Sequence, residues 1–126
     1  MGFRTPLSHV RGLGSAKEGT HHWWLERTTS AALIPLTLWF IISLVFISRY
    51  DHTELAAWIA RPFNTALLVL FLTLTFHHSI LGIQVVIEDY VHHEGYRLAA
   101  LVATKFLLVL CGVIGVIAVL RIAFGG

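Results

Sequence analysis

Charge is scarce in this chain. Only 13% of its 126 residues are Asp, Glu, Lys or Arg, against roughly 25% in an ordinary water-soluble domain. That density excludes a surface wetted on all sides. A hydrophobic content of 56% and a mean hydropathy of +0.76 place the chain in a membrane instead. Cysteine is reduced to Cys111 alone. This excludes an intrachain disulfide, an iron–sulfur cluster ligated by this chain alone and a CxxCH haem attachment. Its place in an apolar run makes Cys111 a small packing residue. No basic cluster is present either: the nine Lys and Arg are scattered around the ends of apolar runs, so the pI near 9.0 reflects membrane topology rather than nucleic-acid binding. The residues before Arg27 lack a basic stretch followed by a short apolar segment and a small-residue cleavage site, so neither a signal peptide nor a transit peptide is expected. No internal repeat is visible.

What the sequence does contain is three long apolar runs, Thr28 to Ser48, Ala66 to Ile87 and Phe106 to Phe124. Each is of the length, about 20 residues, that crosses a hydrocarbon core. They are continuous rather than alternating at period two, which argues against a β-barrel. The expected fold is all-α and integral to the membrane: a polar N-terminal segment at 1–26, then a three-helix domain at 27–126 with spans at about 28–48, 64–90 and 98–124. Six basic residues (Arg4, Arg11, Lys17, Arg27, Arg97 and Lys105) fall on one side and three (Arg49, Arg61 and Arg121) on the other. The N-terminus and second loop are therefore expected in the cytoplasm, or the mitochondrial equivalent, with the C-terminus across the membrane. Lys105 is expected to snorkel toward the second loop. In the first loop, LAAWIA suggests a short interfacial helix with Trp58 at headgroup level, and Arg61-Pro62 marks the entry to the second span. Pro35 either kinks the first span or sits in its first turns.

The second span carries the chemistry, because it places His77 and His78 among Leu, Val, Phe and Thr. An ionisable group inside a membrane is costly, and so is a functional candidate. At helical period, His78 shares a stripe with Gly82, Val85 and Asp89, while His77 shares one with Leu81, Gln84 and Glu88. Only the His78 stripe has a glycine one turn away, and a missing Cβ there leaves room for a flat macrocycle close to the backbone. His78 is thus the better haem ligand, and His77 is expected to hydrogen-bond to a backbone carbonyl, a neighbouring helix or a propionate. On residues alone, an interhelical hydrogen bond or a proton relay stays open beside haem ligation.

Asp89 and Tyr90 fall where the apolar run ends, which puts a carboxylate and a phenol at the interface. A quinone needs a donor at a carbonyl oxygen and a proton source in a pocket that its tail reaches from the bilayer. An aromatic belt residue beside a solvated acid reads equally simply. Arg27 opens the first span on the same side, either as a topology charge or as a partner for a carboxylate such as a haem propionate. Trp23 and Trp24 read as interfacial anchors, and the adjacent His21 and His22 give poor geometry for a metal.

In order, His78-xxx-Gly82-xxxxxx-Asp89-Tyr90 in the second of three spans resembles the smaller hydrophobic anchor subunit of succinate dehydrogenase, respiratory complex II. GLGSAKEGTHHWW and IEDYVH are similar to its α-proteobacterial and mitochondrial-related branch. The resemblance covers nearly the whole chain. It implies half of a haem- and quinone-binding anchor bundle, with His78 as one axial ligand of a b-type haem, Arg27 near the propionates and Gly82 beside the ring. It also implies Tyr90 as a hydrogen-bond donor to ubiquinone, with Asp89 supporting it. Adjacent His77 and His78 cannot serve opposite faces of one haem, so the second ligand would come from another chain. The partners implied are the larger anchor subunit, an iron–sulfur subunit and a flavoprotein subunit in a bacterial inner membrane, with no nucleic acid. An accessory subunit of a proton-coupled transporter, with His77, His78, Glu88 and Asp89 as a relay, and a cofactor-free structural or assembly protein are the competing readings.

Overall fold

The computed structural model describes residues 16–125, which form four helices: α1 (Ala16–Ile47), α2 (His52–Ala60), α3 (Pro62–Tyr90) and α4 (Glu94–Ala123). Among the described residues there is no strand. Three helices are long and apolar enough to cross a membrane: the Trp23–Ile47 part of α1, then α3 and α4. The basic residues Arg4 and Arg11, and the start of the GLGSAKEGTHHWW stretch, lie outside the described residues.

The helices run beyond the apolar runs that announce them, because local capping chemistry sets their ends and hydropathy does not. α3 starts at Pro62, whose fixed φ suits the first turn, after Arg61 in extended conformation. α4 starts at Glu94, where the Nδ1 atom of His93 accepts the Tyr96 N–H at 3.3 Å. α1 begins at Ala16, well before Thr28, so Pro35 lies deep inside the helix rather than in its first turns. Lys105 is exposed and lies 11 residues into α4. That is about 16 Å along the axis, farther from the loop than the apolar run suggested.

The short interfacial helix expected in the first loop is α2. Its N-terminus is closed by a capping box, in which Asp51 Oδ1 accepts the Glu54 N–H at 2.8 Å and Glu54 Oε2 accepts the Asp51 N–H at 2.9 Å. At its other end Asn64, which is buried, donates from Nδ2 to the Trp58 carbonyl at 2.9 Å, and the Thr65 hydroxyl donates to the Ile59 carbonyl. The Trp58 ring stacks on Trp39 of α1 with centroids 5.8 Å apart, which ties the loop helix to the first span.

α3 is the central helix and packs against both α1 and α4. Phe40 of α1 stacks on Phe71 of α3 at 4.8 Å, and the buried apolar residues Leu36, Leu68 and Leu81 come from these two helices. On the other side, α4 comes close because it carries small residues there. A Cβ on Gly112 would stand 3.3 Å from Phe76, and one on Gly115 would stand 3.5 Å from Leu72. No residue of α4 is buried. Its broad apolar surface suits lipid or other subunits rather than a core of its own.

Candidate functional site

The two adjacent histidines of α3 face different neighbours. His78 closes a groove of about 410 Å³ whose other wall is α1, with Ser30, Leu33, Ile34, Thr37 and Leu38. His77 points into a separate groove between α3 and α4. Successive residues of a helix are turned by about 100°, and α3 sits between two partners, so a one-residue step changes the helix being faced.

The Nδ1 atom of His78 is out of contact with water and has no hydrogen-bond partner among the described residues. The same holds for the Thr75 hydroxyl, one turn earlier on α3. Buried polar atoms are almost always bonded, so orphans of this kind mark a place where the chain is completed by something else. Gly82, four residues on, has nothing within 4 Å of where a Cβ would sit. The glycine therefore leaves open space that is not taken up by this chain's own packing. An unsatisfied imidazole with a clear backbone one turn away fits the face of a macrocycle.

Asp89 and Tyr90 end α3, both exposed, with Tyr90 at 78% exposure. Neither makes a hydrogen bond to a described residue, while their neighbour Glu88 accepts from Gln84 Nε2 at 3.1 Å. Because α1 and α3 run in opposite directions, Arg27 stands at the same end of the bundle as Tyr90. Arg27 is exposed, and its guanidinium lies over the Trp23 ring, 5.5 Å from the centroid. Trp23 and Trp24 meet edge to face at 5.3 Å and stay exposed, as interfacial anchors do. The structure thus gathers His78 with the Ser30–Leu38 face of α1, and leaves Asp89 and Tyr90 exposed at one end, with Arg27 against Trp23 at that same end. His77, expected to hydrogen-bond, makes no hydrogen bond to a described residue. Among the described residues, no three His, Cys, Asp or Glu side chains gather as a metal-ion site.

Ser30 and Thr37 are the polar residues of the His78 groove that the sequence reading missed. Ser30, Leu33, Ile34, Thr37 and Leu38 follow the i, i+3, i+4, i+7, i+8 pattern, so one face of α1 was legible. That this face meets His78 was not.

A profile of the succinate dehydrogenase/fumarate reductase transmembrane subunits matches residues 1–118. The chain belongs to that family. It is 32% identical over 118 residues to a succinate dehydrogenase hydrophobic membrane anchor subunit of Rickettsia bellii, covering 93% of this chain and 94% of the relative. The Rickettsia typhi protein of the same description is 30% identical over the same shares. The Paracoccus denitrificans one is 35% identical over 102 residues, 81% of this chain and 78% of the relative. Membership of the anchor family decides against the transporter-accessory reading and agrees with the resemblance to the succinate dehydrogenase anchor.

Proposed function

We propose that this anchor serves a succinate:quinone oxidoreductase of a bacterial inner membrane, providing one axial ligand to a haem b and the donor side of a ubiquinone-reducing site. The observation that carries the reading is the sealed, unpartnered Nδ1 of the half-buried His78, which lines a groove beside the open backbone at Gly82. His78 would hold the iron from one face, Gly82 would give the ring room, and Arg27 would turn from Trp23 to a propionate, which its guanidinium fork suits. A haem held there would supply a reversible one-electron couple. Any second protein ligand to such a group would come from a neighbouring subunit, because His77 lines a different groove from His78.

At the end of α3, the Tyr90 hydroxyl donates a hydrogen bond to a quinone carbonyl oxygen, which orients the ring and favours the negative charge that develops on that oxygen during reduction. Asp89 passes protons from interfacial water to the same oxygen. The electrons arrive from an iron–sulfur subunit that is itself supplied by a succinate-oxidising flavoprotein. This chain has one cysteine and carries no cluster of its own. A Tyr90 end in the cytoplasm and an α2 end in the periplasm are supported by the excess of basic residues on the Tyr90 side.

The test is a dithionite-reduced minus oxidised optical spectrum of the purified complex, native and with His78→Leu or His77→Leu. The expected result is a b-type α-band that disappears in His78→Leu and persists in His77→Leu. No band in the native complex removes the haem from the reading. A band that survives His78→Leu and vanishes in His77→Leu moves the ligand to the other face of α3.

A further inference from the structure

Thr75 carries a hydroxyl that neither the fold nor the site above uses. The other aliphatic hydroxyls of α3 are committed to the helix itself: Thr65 donates to the Arg61 carbonyl at 3.1 Å, Thr73 to the Val69 carbonyl at 2.8 Å and Ser79 to the Thr75 carbonyl at 2.8 Å. That bond to the preceding turn is the usual recourse of Ser and Thr inside a helix. The Thr75 hydroxyl does not make it. It has no hydrogen-bond partner among the described residues and is out of contact with water. A hydroxyl in that condition costs free energy until a partner reaches it.

His78, three residues on, is in the same condition at Nδ1. Positions i and i+3 are neighbours on a helix surface, with Cβ atoms roughly 5–6 Å apart, so the hydroxyl and the imidazole share one strip of α3. The two ring nitrogens differ. Nδ1 is sealed, whereas Nε2, which also makes no hydrogen bond to a described residue, is not sealed in that way. A group in the groove lined by Ser30, Leu33 and Thr37 therefore meets the ring at Nε2. When Nε2 gives its lone pair to a metal, the neutral imidazole keeps its proton on Nδ1, and that N–H needs an acceptor. Water does not reach it. The helix carbonyls around it already accept from backbone N–H groups. The Thr75 oxygen accepts from nothing, and a hydroxyl can accept and donate at once.

We propose that Thr75 is the positioning residue of His78: its oxygen accepts the Nδ1–H when Nε2 holds the haem iron, and its own proton goes to the Phe71 carbonyl one turn back. The inference rests on the reading of His78 as an axial ligand. Two groups that lack partners within the chain are satisfied together by it, and the ring is held with Nε2 toward the groove. Such a bond also raises the basicity of the imidazole, which favours ferric over ferrous iron.

A redox titration of the b-type α-band in the whole purified complex tests this, native and with Thr75→Val, Thr75→Ala or Thr75→Ser. Valine keeps the shape and loses the hydroxyl; serine keeps the hydroxyl and loses the methyl. Both Thr75→Val and Thr75→Ala should shift the equilibrium toward ferrous iron about tenfold, the low end of what losing the outer partner of a metal-bound histidine does. For a one-electron couple that is a rise of about 59 mV. Thr75→Ser should titrate as the native complex does. Thr73→Val removes a hydroxyl that is bonded to the helix on the α4 side, and should leave the midpoint in place. Loss of the band from Thr75→Val and Thr75→Ala, with Thr75→Ser retaining it, is the same result in stronger form. A midpoint unmoved by Thr75→Val and Thr75→Ala, one that Thr75→Ser fails to restore, or an equal shift in Thr73→Val overturns the role of Thr75. The native band then leaves the axial-ligand reading standing. A native complex without the band overturns that reading, and the role of Thr75 with it.

Discussion

Where α2 joins α1 to α3, the chain ties itself together; where α3 turns into α4, it leaves its polar groups to others. The first end has a capping box at Asp51 and Glu54, the Asn64 and Thr65 bonds back to α2, and the Trp39–Trp58 stack. The second is a three-residue corner, Val91 to His93, held by the His93 cap and the backbone bond from Val91 to Ile87, with Asp89, Tyr90 and His92 exposed. At mid-depth on α3, the side chains of His77 and His78 likewise lack hydrogen-bond partners among the described residues. Bonds made inside the chain stabilise it regardless of what surrounds it. Groups the chain leaves unbonded are open to water, a ligand or a subunit.

The contrast is sharpened by substitution at each end. The largest effect is expected from Tyr90→Phe, which removes the donor and leaves the ring. Succinate-driven quinone reduction should fall about a hundredfold, within the range for a lost proton-donating group. Reduction of a soluble dye acceptor and the thermal midpoint of the complex should stay as they were. Unchanged quinone turnover would return Tyr90 to an aromatic belt. At the tied end the pattern should invert. Asn64→Ala removes one of the two side-chain links from α3 to α2 and should destabilise the protein by about 1 kcal/mol, read as a lower thermal midpoint, while turnover per assembled complex holds. A turnover loss as large as that of Tyr90→Phe would end the distinction between the two ends. The smallest effect belongs to His93→Ala, which removes a cap whose bond is long and exposed. A loss of about 0.5 kcal/mol is expected, seen as faster amide exchange confined to the first turn of α4. Exchange that spreads into α3 would show that the corner is tied after all.

The three spans were legible because hydropathy reports which segments lie in the membrane. Hydropathy is silent on where a helix ends, so α1 reaches back to Ala16 through residues whose polarity suggested a separate segment. The short helix α2 was visible in LAAWIA and its Trp, and Arg61-Pro62 marked the entry to α3 because proline has a fixed place in a first turn. Within α3, the separation of His77 from His78 followed from the 3.6-residue period alone. The identity of the facing walls did not, because period gives directions on a helix and not the neighbours that occupy them. Ser30 and Thr37 were therefore missed beside His78, and the α3–α4 groove beside His77 became visible only once Gly112 had brought α4 against Phe76.

The lengths of α3 and α4, 29 and 30 residues, carry one more consequence. Each helix is about 44 Å long, against a hydrocarbon core of about 30 Å. The excess is met by tilt or by projection into the headgroups. The α2 elbow lies at one end and the Trp23–Trp24 pair at the other, so a change in bilayer thickness is taken up by the tilt of the helices between them. The height of the Tyr90 phenol above the lipid then follows the thickness of the membrane that surrounds it.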